Sequence, residues 1–213
     1  ASVKLRDYFL QLVEERRRNP GDDLMSVLIA AEEEGETLTE DELLVTLRLL
    51  LVAGNETTTN LIANGLLALL RHPDQLRRLR DNPDLMDSAV EELLRFDSPV
   101  QTDGRTATAD VEFEGMTVRK GERVLLLIGA PNHDGEQFTN PEQLDISRDE
   151  RSHIAFGRGI HHCLGAPLAR IEATIAFEGL LERFSDIELA ATPQFKDHVV
   201  LRGMRELRVG VRR

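Results

Sequence analysis

A glycine-rich segment, residues 156–165, holds the one cysteine of this 213-residue chain, Cys163. Three glycines crowd around its thiol: Gly157, Gly159 and Gly165. Glycine permits backbone conformations and close approaches that a residue with a Cβ resists. A helix-forming run, residues 166–184, follows at once. Because free N–H groups and the positive end of the helix dipole stabilise negative charge, the segment is a favourable place for a thiolate.

Four interpretations of Cys163 are open. A buried, unreactive thiol is the ordinary one. A zinc site with His161 and His162 is disfavoured, because neighbours in an extended loop point alternately to opposite sides and no C-x-x-C partner exists. A catalytic cysteine with a histidine base is a third, although nucleophile and base usually come from separate elements. The fourth is an axial thiolate on a haem iron, which needs one sulfur and a flat surface around it.

A second stretch, residues 53–60, interrupts a strong helix-forming run with glycine, asparagine and threonine. A glycine such as Gly54 costs ~1 kcal/mol relative to alanine in a helix interior, and threonine and asparagine add to this cost. We therefore expect a distortion of the helix at this point, with hydroxyls diverting backbone bonds. A polar exposed segment is the simpler alternative, but the leucine-rich flanks disfavour full exposure. Residues that weaken a helix inside a strong helix-forming run are typical of functional sites.

A third stretch places acids and a base at helical spacing. Glu91 and Glu92 lie four and three residues before Arg95, so either carboxylate can pair with the guanidinium on one helix face. On a surface such a pair would add only ~0.2–0.5 kcal/mol. The residues alone do not choose between the two glutamates.

These three stretches resemble motifs of the cytochrome P450 family. The cysteine segment is similar to the haem-binding signature F-x-x-G-x-[HR]-x-C-x-G, and residues 166–170 continue it as bacterial members often do. The matching positions are Phe156, Gly159, His161, Cys163 and Gly165. Residues 53–58 resemble the [AG]-G-x-[DE]-T-[TS] motif of the distal helix. The resemblance implies haem b with Cys163 as its axial thiolate, and the family's E-x-x-R spacing selects Glu92 as the buried partner of Arg95.

The resemblance also implies roles for the distal helix. In relatives the acid–alcohol pair lies over the haem iron and supports proton delivery to dioxygen. Thr57 is therefore expected to hold an ordered water there, Glu56 to supply protons and Thr58 to support them. The expected substrate pocket is lined by residues from three parts of the chain: Ala53, Val100, Gln101, Val200 and Leu201.

Haem propionates are anionic and need cationic or hydrogen-bonding partners, which the resemblance assigns to Arg105 and His161. Phe156 is expected to pack near the sulfur side of the porphyrin, where an apolar shell tunes the iron. The full set of expected cofactor contacts is Cys163, Phe156, Gly157, His161, Gly165, Ala169 and Arg105. Family members often add an arginine to the Glu–Arg pair from a P-[ED]-R-F region; residues 141–144 lack it, and Arg148 is the candidate replacement.

The elements that position these residues are mainly helices with small β-sheets. Helices are expected at 5–18, from Asp22 or Asp23 towards Glu34, from a Thr39–Glu42 capping box to about Arg71, and after Pro73 and Pro83 as far as Phe96. Short strands are expected at 111–113, 116–118, 124–128, 187–190, 198–201 and 207–211, with an irregular region at 131–153. The fold implied is the C-terminal portion of the P450 fold, from about helix G. It forms part of one domain: helical 1–97, small sheets and irregular region 98–155, cysteine loop and helix 156–185, terminal strands 186–213.

Composition limits the partners. The net charge of −12 argues against general nucleic-acid binding, and no stretch of eighteen apolar residues predicts a membrane span. One cysteine suggests a reducing compartment, and we expect a soluble, cytoplasmic protein. The resemblance implies O₂, an apolar small-molecule substrate, and a ferredoxin or flavodoxin-type electron donor with its NAD(P)H reductase. Three arginines lie near Cys163 in the sequence, Arg148, Arg158 and Arg170, and predict a basic patch on which the electron donor docks.

The resemblance thus implies a haem-thiolate monooxygenase that inserts one atom of O₂ into an apolar organic molecule. It covers the whole chain but only about half of a complete enzyme. Two alternatives are a haem-binding module without oxygenase activity and a catalytically incompetent fragment. Glu56 and Thr57 argue against the first, because a protein that does not protonate dioxygen has no need of that pair.

Overall fold

The computed structural model describes residues 2–33 and 38–213. The chain divides into two compact units, one up to Glu56 and one from Thr57 to Arg213. Helices dominate, and the β-structure is confined to two-stranded sheets, so the expected class of mainly α with small sheets is confirmed. In the part of the chain that is described, no helix combines the length and apolar character needed to cross a bilayer.

The first unit is built from α1 (Ser2–Arg18), α2 (Leu24–Glu33) and the start of α3 (Glu40–Arg71). Both expected caps are present. The amide of Ser26 donates to the Asp23 carboxylate at 2.9 Å, and the Thr39 amide donates to Glu42 at 2.8 Å. Glu34, the expected end of the second helix, lies outside the described residues. The core of the unit consists of apolar side chains from the three helices: Phe9, Val13, Ile29, Leu43, Leu44 and Leu47.

No break interrupts the long helix at the stretch where a distortion is expected, because α3 runs as continuous α-helix from Glu40 to Arg71. The strong helix formers on both sides outweigh the ~1 kcal/mol cost of one glycine. Within the weak stretch residues 53–55 and Thr59 are exposed, residues 56–58 are half-buried and Asn60 is buried. The alternative of a fully exposed polar segment is therefore wrong.

The second unit contains three further helices: α4 (Pro73–Asp81), α5 (Met86–Phe96) and α6 (Ala166–Arg183). Pro83 begins a 3₁₀ turn that leads into α5, rather than α5 itself. Helix α5 is the most buried element, and its apolar face packs with α3 and α6 in one core. The largest contributors to this core include Leu61, Leu69, Leu79, Leu93, Ile146 and Phe177.

Three antiparallel two-stranded sheets complete the unit: β1 (Thr102–Thr106) with β4 (Arg123–Leu127), β2 (Val111–Phe113) with β3 (Met116–Val118), and β5 (Asp186–Leu189) with β6 (Val209–Arg212). The predicted strand at 198–201 is wrong. The His198 Nδ1 atom accepts the amides of Val200 and Leu201, at 3.2 and 3.0 Å, which closes a turn. A single bridge, Val100 to Leu201, remains of it.

Candidate active site

The cysteine loop is a tight turn closed by its own backbone. Gly157 and Gly159 have φ angles of +69° and +68°, a region that side chains with a Cβ rarely adopt. The Cys163 amide donates to the Phe156 carbonyl at 2.9 Å, and the His162 amide donates to the Gly159 carbonyl at 3.0 Å. Helix α6 begins three residues after the sulfur, with Gly165 as its N-cap. The glycines therefore allow the chain to turn back and present the thiol just before a helix.

The surroundings of Cys163 decide among the interpretations of its thiol. Cys163 is exposed, so a buried and inert thiol is wrong. Among the described residues no group of three or more potential ligands can hold a metal ion, which leaves the zinc site without support. Ile160 and Leu164, on the same loop, are 98% and 87% exposed. An accessible sulfur beside exposed apolar side chains offers one soft ligand and an apolar surface to a flat molecule.

The ring of Phe156 lies at the centre of a group of side chains behind the loop. The Arg170 guanidinium lies 4.6 Å from the ring centroid, and the rings of His153 and His162 are each 6.4 Å away. Phe156 also packs at the edge of the main core. The residue is thus held by contacts to its ring and through its carbonyl, which accepts the Cys163 amide.

Glu91 and Glu92 serve two different networks. Glu92 binds Arg95 through both oxygens, at 2.7 and 2.8 Å, with both side chains only 1% exposed. Glu91 instead accepts hydrogen bonds from Arg170 of α6, at 2.5 and 3.0 Å, and from His153 at 3.0 Å. Arg95 therefore pairs with Glu92, the choice that the spacing left open, and Glu91 binds a different arginine, Arg170.

Arg95 and Glu92 anchor the irregular region. The Arg95 guanidinium also donates to three backbone carbonyls, those of Asn132, Pro141 and Gln143, at 2.7, 2.8 and 3.2 Å. Arg148 joins the pair by donating to Glu92 at 3.0 Å, and so occupies the place of the absent third arginine. Its side chain is 7% exposed, so its expected role in a surface docking patch is wrong.

Arg105 and His161, the expected propionate partners, both interact with Asp103. Arg105 donates to the Asp103 carboxylate at 2.6 Å and to the Gly104 carbonyl at 2.8 Å. The hydrogen bond from Arg105 lowers the pKa of Asp103; burial opposes the shift, and the Gly104 amide and the charges of Arg105 and His161 add to it. The structure thus places both residues near one acid, Asp103, that the sequence analysis missed.

Four of the five expected pocket residues lie side by side in the second unit. The Gln101 amide donates to the Val200 carbonyl at 2.8 Å, and Val100 forms a bridge with Leu201. Gln101 also lines a cavity of about 330 Å³, whose other walls include Leu127, Phe195, Val199 and Arg202. The fifth, Ala53, is an exposed residue of α3 in the first unit.

The distal-helix residues follow one another along α3. Glu56, Thr57 and Thr58 are half-buried, and the fully buried Asn60 and Asn64 continue the polar stretch one and two turns later. The Asn64 side chain donates to the Arg202 carbonyl at 3.0 Å. The sequence analysis missed both asparagines, although their spacing of four residues places them on one helix face.

Comparison with known proteins identifies the family. The family model described as Cytochrome P450 matches residues 1–202. The chain belongs to the cytochrome P450 family. Cytochrome P450 CYP107DY1 of Priestia megaterium is 55% identical over 184 residues, which cover 86% of this chain and 45% of that protein. The polyketide biosynthesis cytochrome P450 PksS of Bacillus subtilis is 47% identical over 212 residues, 98% of this chain and 52% of the relative.

Solved P450 structures share the fold. P450BioI, in complex with an acyl carrier protein carrying hexadec-9Z-enoic acid, superposes with a TM-score of 0.93 at 45% identity, and the match covers 99% of this chain and 54% of that chain. The tirandamycin C-bound monooxygenase TamI gives a TM-score of 0.94 at 40% identity, over 100% of this chain and 54% of that one. The chain spans about half the length of the relatives it matches.

Cytochromes P450 carry haem b on an axial cysteine thiolate, and the residues of this P450 chain fit that group. Cys163, the one cysteine in the sequence, is exposed. A Cβ at Gly165 would lie 3.9 Å from the sulfur, so the glycine leaves the space around the thiol open. Exposed apolar side chains flank the thiol on the same loop. A soft thiolate ligand in an apolar setting is the donor that haem iron takes in this class.

In this P450 the contacts of Glu91 with His153 and Arg170 make the free energy of unfolding depend on pH in the acid range. Burial raises the pKa of Glu91, but the hydrogen bonds from His153 and Arg170 and the Arg170 charge outweigh it and lower the pKa from 4.5 to about 2. The folded pKa is depressed, so the stabilisation is complete above pH 4.5 and is lost as the pH falls towards 2. We expect Glu91→Gln to remove ~1–2 kcal/mol of this acid-dependent stability.

Urea unfolding at a series of pH values between these limits measures the effect. Glu206→Gln, which removes the exposed pair with Arg208, is the matched control and should retain the wild-type pH dependence. If Glu91→Gln and the wild type lose stability in parallel on acidification, the carboxylate is not held ionised by its partners.

Proposed function

We propose that this chain carries the haem-binding and proton-delivering part of a haem-thiolate monooxygenase. The reaction inserts one oxygen atom of O₂ into an apolar organic molecule and reduces the other atom to water, consuming two electrons and two protons. The observation that supports it most is the exposed Cys163 thiol, on a turn fixed by Gly157, Gly159 and the Phe156 carbonyl. Family membership supplies the reaction class.

When bound, the haem supplies the redox and oxygen chemistry, and the thiolate of Cys163 donates electron density that favours O–O cleavage. The chain's own residues hold the group and manage protons. Phe156, Gly157, Gly165 and Ala169 would surround its sulfur side. Arg105 and His161 would bind the propionates by charge-assisted hydrogen bonds. Asp103 already holds Arg105 in place at 2.6 Å.

Glu56 and Thr57 are proposed to deliver the protons. A hydroxyl can both donate and accept, so Thr57 would order a water beside the reacting oxygen, while Glu56 would exchange protons with solvent. Both side chains are half-buried on α3, which limits but does not close their access to water. Val100, Gln101, Val200 and Leu201, which lie side by side, would contact an apolar substrate.

The electrons would come from NAD(P)H through a reductase and a ferredoxin or flavodoxin-type donor. Solved structures of relatives hold varied organic ligands: hexadec-9Z-enoic acid on an acyl carrier protein in P450BioI, testosterone in CYP109E1 of Bacillus megaterium and tirandamycin C in TamI. We propose a substrate of this general class, an apolar organic small molecule or acyl chain. The cytoplasmic location stays a prediction.

A spectrum and a turnover assay test this function together. Haem-loaded protein, reduced under carbon monoxide, should show the red-shifted band of thiolate-ligated iron. It should then couple NAD(P)H oxidation to substrate oxygenation in the presence of a ferredoxin pair. The band without oxygenation under any donor would favour the haem-binding module, and absence of the band would remove the haem-thiolate assignment for this chain.

Thr57→Ala should uncouple electron consumption from product formation. Without the hydroxyl the ordered water is lost, so protons reach the wrong oxygen and reducing equivalents appear as hydrogen peroxide. We expect product formation to fall about 10²-fold, the low end for a proton-delivery group, with haem content unchanged. Measurement of product, peroxide and NAD(P)H in the holoenzyme quantifies the effect.

Thr59→Ala is the matched control for this variant, because it changes the same residue type two positions along the same helix, at an exposed site. It should retain wild-type coupling. Equal coupling in Thr57→Ala and the wild type would remove Thr57 from the proton pathway.

A further inference from the structure

Glu91 connects three elements around the cysteine loop. It lies on α5, Arg170 lies on α6, and His153 lies in the segment that enters the loop. The Glu91 side chain is 14% exposed and that of His153 is 4% exposed. The carboxylate accepts two hydrogen bonds from Arg170, at 2.5 and 3.0 Å, and one from His153, at 3.0 Å. One acid therefore holds groups from two other elements in a mostly buried place.

The hydrogen bonds of His153 identify its tautomer. Its Nδ1 atom accepts the Ala155 amide at 3.3 Å, so the ring proton resides on Nε2 and is donated to Glu91. The ring thus joins the backbone of the loop entrance to the carboxylate. Rotation of the ring would break both bonds at once, which fixes the path of the chain just before Phe156.

Phe156 links this cluster to the sulfur. Its ring lies under the Arg170 guanidinium, 4.6 Å from the ring centroid, a distance at which a cation is attracted to an aromatic face. Its carbonyl accepts the Cys163 amide at 2.9 Å. A shift of Arg170 would therefore move Phe156, and a shift of Phe156 would move the backbone that carries the thiol.

We propose that Glu91, His153 and Arg170 are positioning residues that fix the cysteine loop through Phe156, so that the Cys163 sulfur keeps the position from which it binds iron. The assignment rests on the proposed haem-thiolate function. It also gives Arg170 a role besides the surface docking that its sequence position suggested, because its Nε and Nη2 atoms both donate to Glu91. The Glu92–Arg95–Arg148 network is separate and holds the irregular region instead.

The cluster suits a positioning role because its bonds are geometrically demanding. Arginine binds a carboxylate through a planar fork and stacks on an aromatic ring, and lysine can reproduce only the charge. Arg170→Lys therefore tests geometry with charge conserved, whereas Glu91→Gln tests charge with shape conserved. Glu206→Gln, which removes an exposed ion pair, is the control for loss of a surface carboxylate.

The first measurement uses the haem-free 213-residue chain. Trypsin cleavage after Arg158, an exposed residue of the loop, reports local opening and is followed by mass spectrometry. We expect Glu91→Gln to accelerate this cleavage about tenfold and Arg170→Lys to do so less, with Glu206→Gln unchanged. The Tm of each variant is recorded in parallel. Glu91→Gln is also expected to lower the Tm, so the test is whether cleavage accelerates more than the loss of global stability explains. Acceleration no larger than that loss would show a general structural role and overturn the proposal.

The second measurement uses haem-loaded protein at equal haem content. After reduction under carbon monoxide, the ratio of the thiolate-type band to the band of iron that has lost its thiolate should fall about tenfold in Glu91→Gln. An unchanged ratio in both Glu91→Gln and Arg170→Lys would overturn the positioning role even if cleavage changes. If the wild type itself shows no thiolate-type band while cleavage still responds, the cluster positions the loop and the proposed haem function is what fails.

Discussion

Cys163→Ser is expected to abolish the thiolate-type carbon monoxide spectrum completely. Serine keeps the size and hydrogen-bonding capacity of the residue but replaces a soft, ionisable sulfur with a hydroxyl that does not ionise near neutrality. The Cys163 amide bond to the Phe156 carbonyl belongs to the backbone and should survive, so the loop should keep its shape. The difference spectrum of reduced, haem-loaded protein measures the loss, with haem content determined separately.

Ile160→Ala is the matched control, because it shortens a 98% exposed apolar side chain of the same loop and leaves the ligating sulfur in place. It should retain the thiolate-type band. A thiolate-type band in Cys163→Ser would contradict the ligand assignment outright, since the sequence contains no second cysteine to replace it.

Local physical chemistry predicts the helices of this chain well. The capping box at Thr39 and Glu42 and the Asp23 cap depend on residues three apart, and both form as expected. The glycine at position 54 does not break α3, because its cost of ~1 kcal/mol is small beside the strong helix formers on either side. Helix existence is thus a local property, whereas a helix distortion depends on the balance of a longer segment.

Sequence spacing and motif resemblance predict the partner of only one of the two glutamates of α5. Successive helical residues point about 100° apart, so Glu91 and Glu92 face different neighbours although both lie within reach of Arg95 in sequence. The motif resemblance selected Glu92, which the structure pairs with Arg95. The partners of Glu91, His153 and Arg170, come from positions 62 and 79 residues away, and no spacing rule connects them.

Charged residues near the cysteine were misread for the same reason. Proximity in sequence suggested that Arg148, Arg158 and Arg170 share a surface, but their exposure differs: Arg158 is exposed, whereas the Arg170 side chain is 39% exposed and that of Arg148 is 7% exposed. Arg148 is buried against Glu92, and Arg170 is bound to Glu91. Because a buried arginine needs an acid that sequence distance does not reveal, the ion pairs of the site could be recognised only in the folded chain.

Arg95→Ala is expected to destabilise the fold by ~3–5 kcal/mol, the cost of breaking a buried ion pair. Glu92 would keep its bond to Arg148, but the carbonyls of Asn132, Pro141 and Gln143 would each lose a charged donor. This loss is a large fraction of a typical free energy of unfolding of ~5–15 kcal/mol, so the variant should unfold at a markedly lower urea concentration. Urea unfolding followed by circular dichroism measures the change.

Arg78→Ala provides the contrast, because it breaks an ion pair with Asp145 in which both side chains are nearly half exposed. It should cost no more than ~1 kcal/mol. Arg95→Lys should fall between the two, since lysine restores the charge but cannot supply the planar fork that binds both oxygens of Glu92. If Arg95→Ala proves no more costly than Arg78→Ala, the buried network does not hold the segment that leads into the cysteine loop, and the fixed position of the sulfur must have another origin.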